Sequence, residues 1–157
     1  MKNLFRIFQL STSLDEFILR WGGMLTSVFL RFYVGWQFLH AGIIKIQNWQ
    51  GTLELFHTEY HVPLLPPDLA AYMGAGGELF LPGLLFIGLF TRPAAVGLLF
   101  VNAMAVISYP QLWDFDCPAA INDHFYWGIM LVTIFVFGAG KFSIDGALKN
   151  YLEKSSV

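Results

Sequence analysis

The chain has 157 residues, is 56% hydrophobic and only 13% charged, and nine basic against eleven acidic side chains leave a net charge of −2. That apolar share and a mean hydropathy of +0.57 argue against a water-soluble globule, and the missing basic surplus argues against a nucleic-acid binder. A single cysteine, Cys117, rules out an intrachain disulfide and a cysteine zinc site, and the length leaves room for one compact membrane domain.

The first 22 residues read as an uncleaved amphipathic segment rather than a secretory signal, because Arg6 and Gln9 interrupt the apolar run Leu4, Phe5, Ile7, Phe8, Leu10. Ser13 with Glu16 matches a capping box, and Leu14, Phe17, Ile18 and Trp21 follow at helical spacing; such a segment lies along a membrane interface. Four apolar stretches come next, about 23–46, 69–90, 93–112 and 121–140, each near the roughly 20 residues a span needs. The longest break is the loop at 47–68, and the tightest is Thr91-Arg92-Pro93, where Pro93 suits the first turn of a new helix. The expected fold is all-α: an integral membrane four-helix bundle over 23–147, preceded by the interfacial segment 1–22 and followed by a tail at 148–157.

Four spans put both termini on one side. That side carries Lys2, Arg6, Arg20, Arg92, Lys141, Lys149 and Lys154, whereas the other has Lys45 and is otherwise acidic, with Glu54, Glu59, Asp68, Asp114, Asp116 and Asp123. The positive-inside rule makes the termini cytoplasmic. Cys117 and all four histidines then lie in the outer half or outside.

Ionisable side chains inside a bilayer are expensive and mark the places to look for function. Here they are Arg31, His40 and Lys45 on the first helix and Glu78 on the second, with the uncharged Asn102 on the third. At 1.5 Å per residue Arg31 stands roughly 10 Å above the inner face, Asn102 about 14 Å and Glu78 about 18 Å, so the long arginine is expected to meet Glu78. Three readings stand: a structural ion pair with Asn102 as interhelical glue, a ligand or proton site, and Arg31 snorkelling inward. Glu78 follows Gly74, Ala75, Gly76 and Gly77 and precedes Pro82, which frees the Glu78 carbonyl; the glycines suit either close helix packing or a pocket. His40 falls near the opposite face from Arg31, in a stripe with Gln37, Ile44 and Gln47, fit for a structural hydrogen bond, a quinone-like headgroup or proton transfer. Lys45 can snorkel outward or bind an anion.

In the outer loop Glu54, His57 and His61 are spaced i, i+3, i+7 and would share one face of a short helix ending before Pro63. Two histidines and a carboxylate can ligate iron or zinc, the more so if Asp123 or His124 approaches; the adjacent stripe Leu53, Phe56, Tyr60 equally fits a helix lying on the membrane with a solvated polar face. The hydrolase, zinc-protease, redox-cysteine and phosphate-loop motifs are absent.

The order Arg31-x3-Gly35-x4-His40-x-Gly42-x2-Lys45, then Glu78 in a glycine-rich helix, then Gly88-Leu89-Phe90-Thr91-Arg92-Pro93-Ala94-Ala95, and finally Gly138-Ala139-Gly140-Lys141-Phe142-Ser143-Ile144-Asp145 resembles the DoxX family. The likeness runs from about 25 to 147 and places Arg31, His40, Lys45, Glu78, Arg92, Ser143 and Asp145 at family positions. It implies a small four-helix protein of the bacterial cytoplasmic membrane, in a functionally mixed family where some relatives look like subunits of membrane oxidoreductases such as thiosulfate:quinone oxidoreductase. Arg92 would anchor the cytoplasmic hairpin, and Ser143 or Asp145 would cap a following helix. Two function classes follow. In one the bundle is a membrane subunit or anchor of a quinone-linked oxidoreductase or redox-stress complex, with Arg31, His40 and Glu78 supplying hydrogen bonds and protons and a redox partner protein supplying electrons. In the other it is an oligomeric carrier of a small solute or proton, or a scaffold.

Overall fold

The computed structural model describes residues 12–113 and 119–156. The apolar run before Thr12 and the loop residues Asp114, Asp116 and Cys117 lie outside the described residues. The described residues are helical almost throughout: α1 (Gly23–Gln47), α2 (Trp49–Thr58), α3 (Pro67–Ile87), α4 (Thr91–Ser108), α5 (Ala119–Phe137) and α6 (Ile144–Ser155). The amphipathic segment is helical from residue 12 and enters α1 through a π-helical turn, Ile18–Gly22, without an intervening loop.

The chain is an all-α membrane bundle. Helices α3, α4 and α5 are each long and apolar enough to cross a bilayer. At 25 residues α1 is longer still, with Arg31, His40 and Lys45 lowering its hydropathy. The four long helices close a ring of contacts, α1 with α3, α3 with α4, α4 with α5 and α5 with α1. Its core is Val34, Phe38, Leu85, Ala94, Ala95, Leu98, Leu131 and Ile134. Large side chains such as Phe29, Phe80, Phe100, Ile129 and Val136 point outward, as they do when lipid is the solvent.

Each helix stops for a local reason. Gly88 (φ 67) and Gly138 (φ 77) turn the chain left-handed after α3 and α5, a conformation open to glycine at little cost; α4 ends at Ser108, just before Pro110. Close approach of α1 and α3 rests on Gly35 and Gly42, where a Cβ would press on Phe86 and on Glu78 and Leu79 respectively. The short α2 starts at Asn48, whose side chain accepts from the Gly51 N–H at 3.1 Å. It folds across the first turns of α3, Phe56 against Ala70 and Ala71. As a result α3 begins well beyond the end of α1, and that offset decides which charges meet.

Candidate functional site

Two polar centres lie at opposite ends of the bundle. At the end formed by the α3–α4 turn, the two glycine-containing motifs of the sequence come together. The Asp145 carboxylate accepts from the Phe90 and Thr91 N–H groups, both at 2.9 Å, and so satisfies the otherwise unpaired donors at the start of α4 and complements its dipole. The Asp145 N–H in turn donates to Gly88 O at 2.9 Å. Arg92 reaches the last carbonyls of α5, Phe135 O at 3.0 Å and Val136 O at 3.4 Å, while Ser27 donates to Gly138 O. Ser143 caps α6 by accepting from Gly146 N at 2.9 Å. Of the two residues expected to cap the following helix, Ser143 does so, while Asp145 caps α4; Arg92 ties the α3–α4 turn to the end of α5.

Arg31 belongs to this clasp. The expected contact between Arg31 and Glu78 does not form: Arg31, 1% exposed, donates from Nη2 to Phe142 O at 2.7 Å. It does not snorkel either. The reason is the offset of α3, which sets Glu78 level with the far end of α1 and leaves Arg31 beneath the returning 138–143 segment.

The second centre lies toward the loop end. Lys45, fourteen residues after Arg31 and so close to the same helix face, donates to both oxygens of Glu78, at 2.8 Å and 2.6 Å. The side chains are 20% and 9% exposed, so the pair is largely withdrawn from solvent and held in one geometry by its bidentate contact. Pro82 continues inside α3, and its missing N–H leaves the Glu78 carbonyl without its helical donor. The Lys45 carbonyl accepts from Thr52 Oγ1 at 2.9 Å. In the loop beside α2, burial first and then the negative charge of Glu78 push the Tyr60 phenol above its ordinary pKa. Tyr60 stacks between Phe56 and Tyr109, with ring centroids at 4.7 Å and 5.0 Å.

Asn102 does join helices, through a partner the sequence reading considered only for metal binding. Its Nδ2 donates to the His124 carbonyl at 2.9 Å, and its Oδ1 lies 2.8 Å from His124 Nδ1. Because a carbonyl can only accept, the first bond fixes the amide orientation, and the second then places the imidazole proton on Nδ1. Replacing Asn102 by alanine leaves the His124 Nδ1–H without its partner and takes the second donor from a carbonyl that keeps its helical one; it should cost about 1–2 kcal/mol, measured by unfolding in mixed micelles, with loss of the Nδ1–H preference of His124 in its ¹⁵N spectrum.

The remaining candidates are dispersed. His40 is exposed on the outer face of α1 beside Trp36, ring centroids 6.2 Å apart, away from Glu78 and Arg31. The helix expected to align Glu54, His57 and His61 ends at Thr58, because the chain turns to bring the His61 N–H to Ser108 O at 2.7 Å. His57 pairs with Asp68 at 2.7 Å. Among the described residues no three His, Cys, Asp or Glu side chains gather to hold a metal ion.

An apolar groove of about 430 Å³ on the outside of the bundle is lined by Ile46, Trp49, Tyr72, Ala75, Gly76 and Leu79, without Lys45 or Glu78 themselves. Its residues flank both charges in sequence. Gly76 keeps it open, with no atom within 4 Å of where a Cβ would stand. Trp49 and Tyr72, centroids 4.7 Å apart, form its loop-end rim, the amphipathic rings favoured where a membrane meets water.

These features define a small helical membrane protein with a tight clasp at one end and a largely buried ion pair at the other. The sequence profile of the DoxX family matches residues 26–110, more than half of the chain. The chain belongs to the DoxX family. The matched stretch includes Arg31, Lys45, Glu78, Gly88 and Asn102, whereas His124 and Asp145 lie beyond it. A Haemophilus influenzae protein described as an "Uncharacterized protein" is 28% identical over 131 residues, covering 82% of this chain and 86% of its own. No solved structure matches the chain.

Proposed function

We infer that the protein is a multi-pass subunit or anchor, in the bacterial inner membrane, of a quinone-linked oxidoreductase or redox-stress complex. The observation that carries this reading is the Lys45–Glu78 pair, whose chain neighbours Ile46 and Leu79 line an open apolar groove on the outside of the bundle. A quinone has the matching two-part chemistry: an apolar tail suited to a lipid-facing groove, and carbonyl oxygens that need hydrogen-bond donors and, on reduction to the quinol, two protons. Trp49 and Tyr72 bring an N–H and an O–H donor to the groove itself, Lys45 adjoins its lining residue Ile46 in sequence, and Glu78 is a carboxyl able to pass a proton. The two electrons would come from a partner redox protein. The termini and the clasp face the cytoplasm in this reading, following the excess of Lys and Arg at that end; a reporter fused after Val157 should be active in the cytoplasm.

A proton-coupled or small-solute carrier gains less support. Between the two polar centres the bundle is filled by Val34, Phe38, Leu85, Leu98, Leu131 and Ile134, and a packed apolar core offers a solute no polar path. The test is gentle purification with lipid and quinone extraction and native mass spectrometry, on wild type beside Glu78→Gln and His40→Ala. Wild type and His40→Ala should retain quinone and Glu78→Gln should lose it. Absence of quinone from every sample, with proton-coupled flux in liposomes, would overturn the reading in favour of a carrier.

A further inference from the structure

Helix α6 is twelve residues long, and none of them is buried. Its apolar side chains nevertheless form one stripe: Ile144, Leu148, Tyr151 and Leu152 fall at i, i+4, i+7, i+8. With Phe142 just ahead of the helix, these five are between 41% and 70% exposed. Asp145, Lys149, Asn150, Glu153 and Lys154 occupy the rest of the circumference. Among the described residues nothing covers the stripe.

The clasp fixes where that stripe lies. The first turn of α6 is held to the α3–α4 turn by the Asp145 N–H on Gly88 O and by the Asp145 carboxylate on Phe90 and Thr91, while Arg31 holds Phe142 O from within the bundle. Gly88 to Thr91 is the point at which two membrane-crossing helices leave the bilayer, so α6 starts at the bilayer surface and cannot drift from it. At 1.5 Å per residue the helix is about 18 Å long, too short to cross a core of about 30 Å. The lipid-facing surface of the bundle continues to the same level through exposed Phe90 and Phe137.

We propose that α6 is an interfacial membrane helix, its occupant the acyl boundary of the leaflet at the clasp end, with Phe142, Ile144, Leu148, Tyr151 and Leu152 inserted and the charged face in water. The charges of α6 cancel, Asp145 and Glu153 against Lys149 and Lys154, and Lys149 lies 3.8 Å from Glu153. Attachment is therefore hydrophobic, independent of anionic lipid and of salt, unlike a polybasic tail. This does not depend on what the Lys45–Glu78 site binds.

The test uses the full chain carrying Cys117→Ser, with single spin-labelled cysteines introduced by Leu148→Cys, Leu152→Cys, Asn150→Cys or Glu153→Cys, in nanodiscs of phosphatidylcholine alone. The ratio of oxygen to aqueous nickel-chelate accessibility should be several-fold higher at 148 and 152 than at 150 and 153, and unchanged in 1 M salt or with anionic lipid added. High chelate accessibility at all four positions would mean a helix free in water and would overturn the proposal. So would loss of the contrast in high salt, which means electrostatic attachment. Shielding of 148 and 152 from both reagents, with spin–spin broadening when a second copy covers them, would overturn it too, because the stripe would then be buried in protein.

Discussion

Replacing Lys45 by methionine should destabilise the bundle by about 3 kcal/mol, and replacing Glu78 by methionine should do the same, because each leaves a largely buried charge without its counter-ion. The double variant Lys45→Met/Glu78→Met should recover most of that loss and fall within about 1 kcal/mol of wild type, since two apolar side chains of similar length carry no desolvation penalty. Unfolding titrations in mixed micelles on the three variants give the coupling energy directly. Additive losses would mean that the two groups act separately, contrary to their 2.6 Å contact. The double variant also separates fold from function: a stable protein that no longer retains quinone places the pair in the binding site, whereas unchanged retention confines it to structure.

The other large effect belongs to the clasp. Gly88→Ala should destabilise by about 3 kcal/mol, from a left-handed backbone that disfavours a Cβ and from overpacking. Gly88 has φ 67, and a Cβ there would run into the Arg31 guanidinium and Ser143 Cβ. Gly83→Ala is the matching control. No atom lies within 4 Å of a Cβ at Gly83, and an alanine inside a helix should be neutral or stabilising by up to about 1 kcal/mol. Equal stability of the two variants would contradict the tight seating of Arg31 beneath the turn. Phe90 is in the left-handed region as well (φ 48), costly for so large a residue, and Asp145 holds its N–H there.

The spans were legible because hydropathy and helix-ending residues are local properties. The expected starts at 23, 69, 93 and 121 fall within two residues of those observed at Gly23, Pro67, Thr91 and Ala119. The far ends were read too long where Gly88 and Gly138 stop a helix before the apolar run is exhausted. Pairings were harder to read because they depend on how far one helix is displaced against another. Nothing local reveals that α2 folds over the start of α3, and that packing gives Glu78 to Lys45 instead of Arg31. Gly42, three residues before Lys45 and in contact range of Glu78, was the available signal. For Asn102 the partner sat at the mouth of another helix, and His124 was visible only as a histidine near an acidic residue. Asp145 looked like a cap for its own helix because side-chain capping is normally judged within a few residues; here it acts across 54 and 55 positions.

The central claim, a quinone-type headgroup held beside the Lys45–Glu78 pair, is tested most directly by photolabelling the protein in native membranes with a photoreactive quinone and mapping the adducts by peptide mass spectrometry. Adducts should fall on Ile46–Trp49 and Tyr72–Leu79, compete away with excess unlabelled quinone, and disappear in Lys45→Met/Glu78→Met. Labelling spread over the lipid-facing surfaces of all four long helices, unaffected by competitor or by the double variant, would contradict the account and leave the ion pair a structural element of the bundle.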